Sequence, residues 1–104
     1  MLEQDFRMVQ AQAEADIREA KRQRKNNFLL TAQAVGIETL TYNNLKLEAL
    51  KVYYNGVYGY IPKNLMDDYE FKSLQSFTAS EYTFFVEDVF EENGEFLFLA
   101  NRKD

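Results

Sequence analysis

The chain of 104 residues has no cysteine and no histidine, and each absence removes a class of chemistry. Without Cys there are no disulfides and no thiolate metal sites, and the redox compartment stays open. Without His there is no nucleophile–His–Asp triad, no His-ligated zinc and no His general base. Long apolar runs are missing too: none approaches the ~18 residues of a membrane span. The first residues lack the apolar core of a signal peptide. A soluble protein of the cytoplasm, or of a virion, is therefore expected, without a membrane partner and without a cofactor. No internal repeat or low-complexity segment is visible.

What is present suits a small core. Apolar residues make up 46% of the chain, with nine Phe and seven Tyr that each bury a large area. Charge is uneven: residues 1–27 carry six basic and five acidic side chains, whereas residues 28–101 carry four and eleven. The second segment repels phosphate unless its few cations gather on one face.

Residues 2–26 read as one helix. Leu2, Phe6, Val9, Ala13, Ile17 and Ala20 recur at helical spacing with no Gly or Pro between them. Glu3 and Asp5 sit in the first turn and Arg18, Lys21, Arg22, Arg24 and Lys25 crowd the last, as the helix dipole favours. Asn26-Asn27 is the expected stop. The stripe is thin and needs a surface to lie on: the body of the protein, a partner, or a second copy in a homo-oligomer. The chain thus divides into an amphipathic helix at 1–27 and a β domain at 28–104.

From Phe28 the apolar period falls to two. Strands are expected at Phe28–Thr41, with a bulge near Gly36, at Leu45–Tyr54, Val57–Ile61, Tyr82–Phe90 and Glu95–Asn101. Tyr42-Asn43-Asn44 reads as a turn. Asn55-Gly56 and Asn93-Gly94 signal two-residue hairpins, because both turn positions need positive φ. In the second strand Leu45, Leu47 and Ala49 read as inward, then Leu50, Val52 and Tyr54, which places a bulge between Ala49 and Leu50. In the third, Val57, Gly59 and Ile61 read inward and Tyr58 and Tyr60 outward. Residues 63–81, with Leu65, Tyr69, Phe71, Leu74 and Phe77 irregularly spaced, suit a loop with a short helix. Mainly β structure with an N-terminal helix follows, as a five-stranded OB-type barrel with a helical insertion between strands 3 and 4. An SH3-like barrel, which normally lacks that helix, is the alternative.

The pattern Val52-x-Tyr54-x-Gly56-Val57-x-Gly59-x-Ile61-Pro62 resembles the second and third strands of the S-one domain, the RNA-binding repeat named for the largest ribosomal small-subunit protein. The likeness is to the divergent form found in bacteriophage and mobile-element proteins. Leu74 and Phe77, then Phe84-x-Val86 and Leu99-Ala100-Asn101-Arg102-Lys103, are similar to its linker, fourth strand and basic terminal motif. The resemblance implies a non-enzymatic module for single-stranded RNA or DNA. It departs from the family at Leu47-Glu48-Ala49-Leu50-Lys51, where members commonly carry two Phe, and at Pro62, where a His is common.

The candidate contact surface is therefore Lys51, Tyr53, Tyr58 and Tyr60, with Arg102 and Lys103, and with Arg22 and Lys25 from the helix. Aromatic side chains stack on bases while cations meet phosphate, so binding is expected to weaken with salt. The competing reading makes the tyrosines cross-strand pairs beneath the helix, and makes the protein a structural or adaptor component, of a phage virion or its assembly, built for protein contacts. The acidic body favours that rival. The clusters Asp67-Asp68-Glu70 and Glu91-Glu92-Glu95 lack calcium-loop spacing and read as solvated turns.

Overall fold

The computed structural model describes residues 3–65 and 81–102, with side chains from Phe6 onward. Leu2, Asp67-Asp68-Glu70, Tyr69, Phe71, Leu74, Phe77 and Lys103 lie outside the described residues. One helix, α1 (Glu3–Arg22), and a 3₁₀ turn (Arg24–Asn26) precede the strands β1 (Leu30–Tyr42), β2 (Leu45–Tyr54), β3 (Val57–Pro62), β4 (Glu81–Glu92) and β5 (Glu95–Asn101). The helix ends four residues earlier than its periodicity predicts, and Asn27 at φ 61° closes the 3₁₀ turn. Between β3 and β4, the helical residues among those described are a single 3₁₀ turn, Lys63–Leu65, directly after the strand.

The three tight hairpins among the described residues use paired positive φ angles: 51° and 63° at Asn43-Asn44, 45° and 99° at Asn55-Gly56, 53° and 79° at Asn93-Gly94. Turns of this hand match the right-handed twist of the flanking strands, so each fixes the register of its hairpin. The sheet closes in a ring of order β1-β2-β3-β5-β4, with Leu30–Gln33 of β1 pairing Phe84–Glu81 of β4. β3 and β5 run parallel through Tyr58–Leu97, Gly59–Phe98 and Tyr60–Leu99; the other pairs are antiparallel.

Two cores result, one on each side of the sheet. Leu30, Ala32, Ala34, Leu50, Val52, Val57, Ile61, Phe84, Val86, Phe98 and Ala100 fill the ring, with Phe84 stacked on Phe98 at a centroid distance of 5.6 Å. Opposite, Leu40, Ala49, Tyr60, Leu97 and Leu99 form a second buried cluster with Tyr42, Tyr58 and Phe90 against it.

That second cluster corrects the expected phase of β2. Pairing runs unbroken through Ala49 and Leu50 on both neighbours, so there is no bulge between them, and Ala49 faces away from the ring interior. The bulge expected in β1 near Gly36 is present as a register shift between Ala34 and Gly36, and another shift lies in β4 between Val86 and Asp88. Past its shift, β1 turns Leu40 and Tyr42 toward the outer cluster, where Tyr42 meets the Phe90 ring edge-on at 5.6 Å and donates to Asp88. Period-two apolarity marks a strand, but it cannot say which face is interior when both are covered.

The helix supplies part of the ring's core. Ala13, Ile17 and Ala20 are fully buried with the interior residues, while Phe6 and Val9, on the same stripe, stay exposed. Polar ties hold the docking: Gln10 Nε2 donates to the Gly56 carbonyl at 3.1 Å and the Tyr54 hydroxyl to Asp16 at 3.2 Å. Lys21 pairs with Asp88 at 3.3 Å and Arg24 with Glu87 at 2.7 Å. The expected stripe therefore lies on its own body through its second half.

Candidate nucleic-acid interface

The Asn55-Gly56 turn sets the geometry of the surface. It locks β2 and β3 in the register Tyr53–Tyr58 and Lys51–Tyr60, which puts these four side chains on one face, opposite Val52 and Gly59. The rings of Tyr53 and Tyr58 lie 5.1 Å apart and tilted by 58°. Lys51 Nζ sits 4.4 Å from the centre of the Tyr58 ring and 6.0 Å from that of Tyr60. Of the sequence candidates, Lys51, Tyr53, Tyr58 and Tyr60 thus converge.

They are not equivalent. Tyr53 and Tyr58 are half-buried, whereas Tyr60 is only 7% exposed, sunk into the outer cluster with Leu40, Leu97 and Leu99. Tyr60 is a core residue whose hydroxyl reaches Glu38 at 3.4 Å, and burial pushes its ionisation upward, with the Glu38 charge adding to the effect. The accessible rings of this face are those of Tyr53 and Tyr58. They do not lie beneath the helix; Tyr54 on the opposite face of β2 fills that role.

Three neighbours escaped the sequence reading. Glu38 of β1 accepts from Lys51 Nζ at 2.8 Å, and this hydrogen bond raises the lysine's affinity for its proton against the opposing effect of burial. Val35, at the β1 register shift beside Lys51, is 51% exposed and widens the apolar surface. Gln33, paired with Tyr53, extends it further along β1. The signal for Val35 was the bulge expected near Gly36, which is present as the register shift between Ala34 and Gly36. Nothing in the local sequence points to Glu38, which comes from another strand.

Arg102 and Arg22 have contacts with other residues. Arg102 lies over the Tyr82 ring at 4.8 Å, and its backbone N–H donates to the Leu65 carbonyl at 2.7 Å. Arg22 pairs with Glu19 within the helix, and Lys25 is exposed in the 3₁₀ turn that follows. Arg24 lies over the Phe85 ring at 3.9 Å while bonding Glu87. Burial alone would raise the Glu87 carboxyl, but the hydrogen bonds from Arg24 and Asn101 outweigh it and hold the group below the usual range. This end of the helix is an ion-paired seam against β4. Arg18, Lys21, Arg22 and Val89 border an open hollow of about 420 Å³ there.

Among the described residues, no group of three or more acidic side chains is placed to hold a metal ion, and no helix is long and apolar enough to cross a membrane. No protein-family model matches the chain, and no curated protein matches it.

Proposed function

We propose that the protein is a non-enzymatic OB-type module of the S-one kind that binds single-stranded RNA or DNA on the outer face of β2 and β3. The observation that carries the reading is the Tyr53–Tyr58 ring pair with Lys51 over Tyr58, half-exposed on the β2–β3 face. That face is where OB folds bind oligonucleotides, and the ring order β1-β2-β3-β5-β4 with parallel β3 and β5 supports the assignment. In this arrangement the helix α1 supplies Ala13, Ile17 and Ala20 to the interior. Ring-on-base stacking contributes about 1–3 kcal/mol per base and tolerates any sequence.

The test is fluorescence anisotropy of end-labelled rU and dT 12-mers at 50 mM salt. Saturable binding is expected, lost in a Tyr53→Ala/Tyr58→Ala variant that keeps its fold. Absence of binding to both oligonucleotides refutes the reading. The rival, a structural or adaptor protein, is favoured by the acidic body and by a structural feature: Phe6, Met8 and Val9 are 43%, 70% and 39% exposed on the first half of the helix. It predicts a concentration-dependent mass in light scattering that Phe6→Ser/Val9→Ser abolishes.

A further inference from the structure

Glu38 decides how the proposed surface takes its ligand. Lys51 is a cation whose contacts place it on the tyrosine surface, and it is already engaged. Glu38 holds it at 2.8 Å, the Tyr58 and Tyr60 rings lie beneath it, and its side chain is only 24% exposed. Glu38 is itself 48% exposed, so a negative charge stands at the edge of the rings where a strand's phosphates would pass. Arg18, Lys21, Arg22 and Arg24 are spent on Glu14, Asp88, Glu19 and Glu87.

We infer that Glu38 is a specificity-determining residue: it keeps Lys51 from phosphate, so the surface takes single strands by their base faces and with little dependence on salt. This rests on the nucleic-acid reading above. A site that neutralises one phosphate of a single strand shows a log–log salt slope of about −0.7, and several cations give several times that. A neutral Lys51–Glu38 pair gives a slope near zero. The candidate cations taken as free predict binding that weakens with salt; the pairing of Lys51 with Glu38 predicts little such weakening. Stacked bases with outward phosphates also favour flexible single strands over a duplex, whose base faces are already covered by their neighbours.

The experiment compares the wild type and Glu38→Gln with labelled rU and dT 12-mers and a 12-bp duplex, from 50 to 200 mM salt. Glutamine keeps the shape and can still accept from Lys51, but it removes the charge. Wild-type affinity should change less than about 2-fold over that range, with little duplex binding. Glu38→Gln should bind single strands more tightly and lose about 2–3-fold more between the two salt concentrations, as expected when Lys51 is released to neutralise one phosphate. A wild-type slope of about −0.7 or steeper, or a Glu38→Gln variant that binds like the wild type, overturns the role of Glu38 and leaves the binding surface standing. No binding by either protein at 50 mM overturns the surface as well. The wild-type slope decides the matter even if the variant fails to fold.

Discussion

Replacing Gly59 by alanine should be among the most damaging single-methyl changes in this protein. Gly59 lies mid-β3, paired to Val52 on one side and Phe98 on the other. A Cβ there would stand 2.3 Å from Cε2 and Cζ of Phe98 and 2.5 Å from Cδ2. Ordinary carbon–carbon contact is about 3.5–4.0 Å, so one of the two must retreat by more than ~1 Å. Neither has room. The backbone of β3 is bonded on both edges, and the Phe98 ring is fully buried against Phe84. Overpacking of this kind costs about 1–3 kcal/mol, and the severity of the clash puts this site at ~3 kcal/mol. Losing a strand glycine returns about 0.5–1 kcal/mol, leaving a net loss of about 2–2.5 kcal/mol. For a domain of this size that lowers Tm by roughly 10–20 °C. Urea unfolding followed by circular dichroism measures it, since the chain has no Trp. The variant should shift the midpoint with an unchanged slope. In a Phe98→Leu background the same glycine substitution should cost under ~1 kcal/mol, because the offending ring atoms are gone. A loss below ~0.5 kcal/mol in the wild-type background, or an equal loss in both, would refute the packing argument.

Other consequences can be measured on the same material. Ile17→Ala should cost about 2–5 kcal/mol in urea unfolding, because the fully buried side chain joins α1 to the ring core; a cost under ~1 kcal/mol would mean that the helix is not docked. The hydrogen bond from Tyr42, followed by those from Val89 and Lys21, holds the Asp88 carboxyl below its ordinary value despite some burial. A depressed carboxylate stabilises the fold above its unfolded pKa, here 3.8, and that contribution disappears as pH falls through the lower folded value. Urea midpoints between pH 6 and 2.5 should therefore fall in acid, less steeply in Asp88→Asn; identical acid limbs would contradict this. Asn55→Ala, which places alanine where φ is 45°, should destabilise the β2–β3 hairpin by about 1 kcal/mol, read in the same assay.

Much of this fold is written locally. The turns at Asn43-Asn44, Asn55-Gly56 and Asn93-Gly94 need residues that accept positive φ, and those residues stand there. The strands between them follow, and so does the sharing of one face by Lys51, Tyr53, Tyr58 and Tyr60. The helix stripe likewise foretold the burial of Ala13, Ile17 and Ala20. What stayed hidden depends on residues distant in sequence. Ala49 faces outward because Leu40 of β1 and Leu97 and Leu99 of β5 build a second core there, which β2 alone does not reveal. The same core buries Tyr60 and removes it from the usable surface. The Lys51–Glu38 pair spans two strands and a register shift, so no spacing within either strand announces it. The Arg24–Glu87 and Lys21–Asp88 pairs, which tie the basic end of the helix to β4, are long-range for the same reason.

The most direct test of the account is to map the ligand on the protein by NMR, titrating an rU 12-mer into isotope-labelled protein and following backbone amides and tyrosine rings. Shifts should concentrate at Gln33, Val35, Lys51, Tyr53 and Tyr58, with the helix residues Arg18–Lys25 and the buried Phe84–Phe98 pair little affected. Perturbation confined to the basic end of the helix, or a spectrum unchanged at saturating oligonucleotide, would contradict the claim that the β2–β3 face is the binding surface.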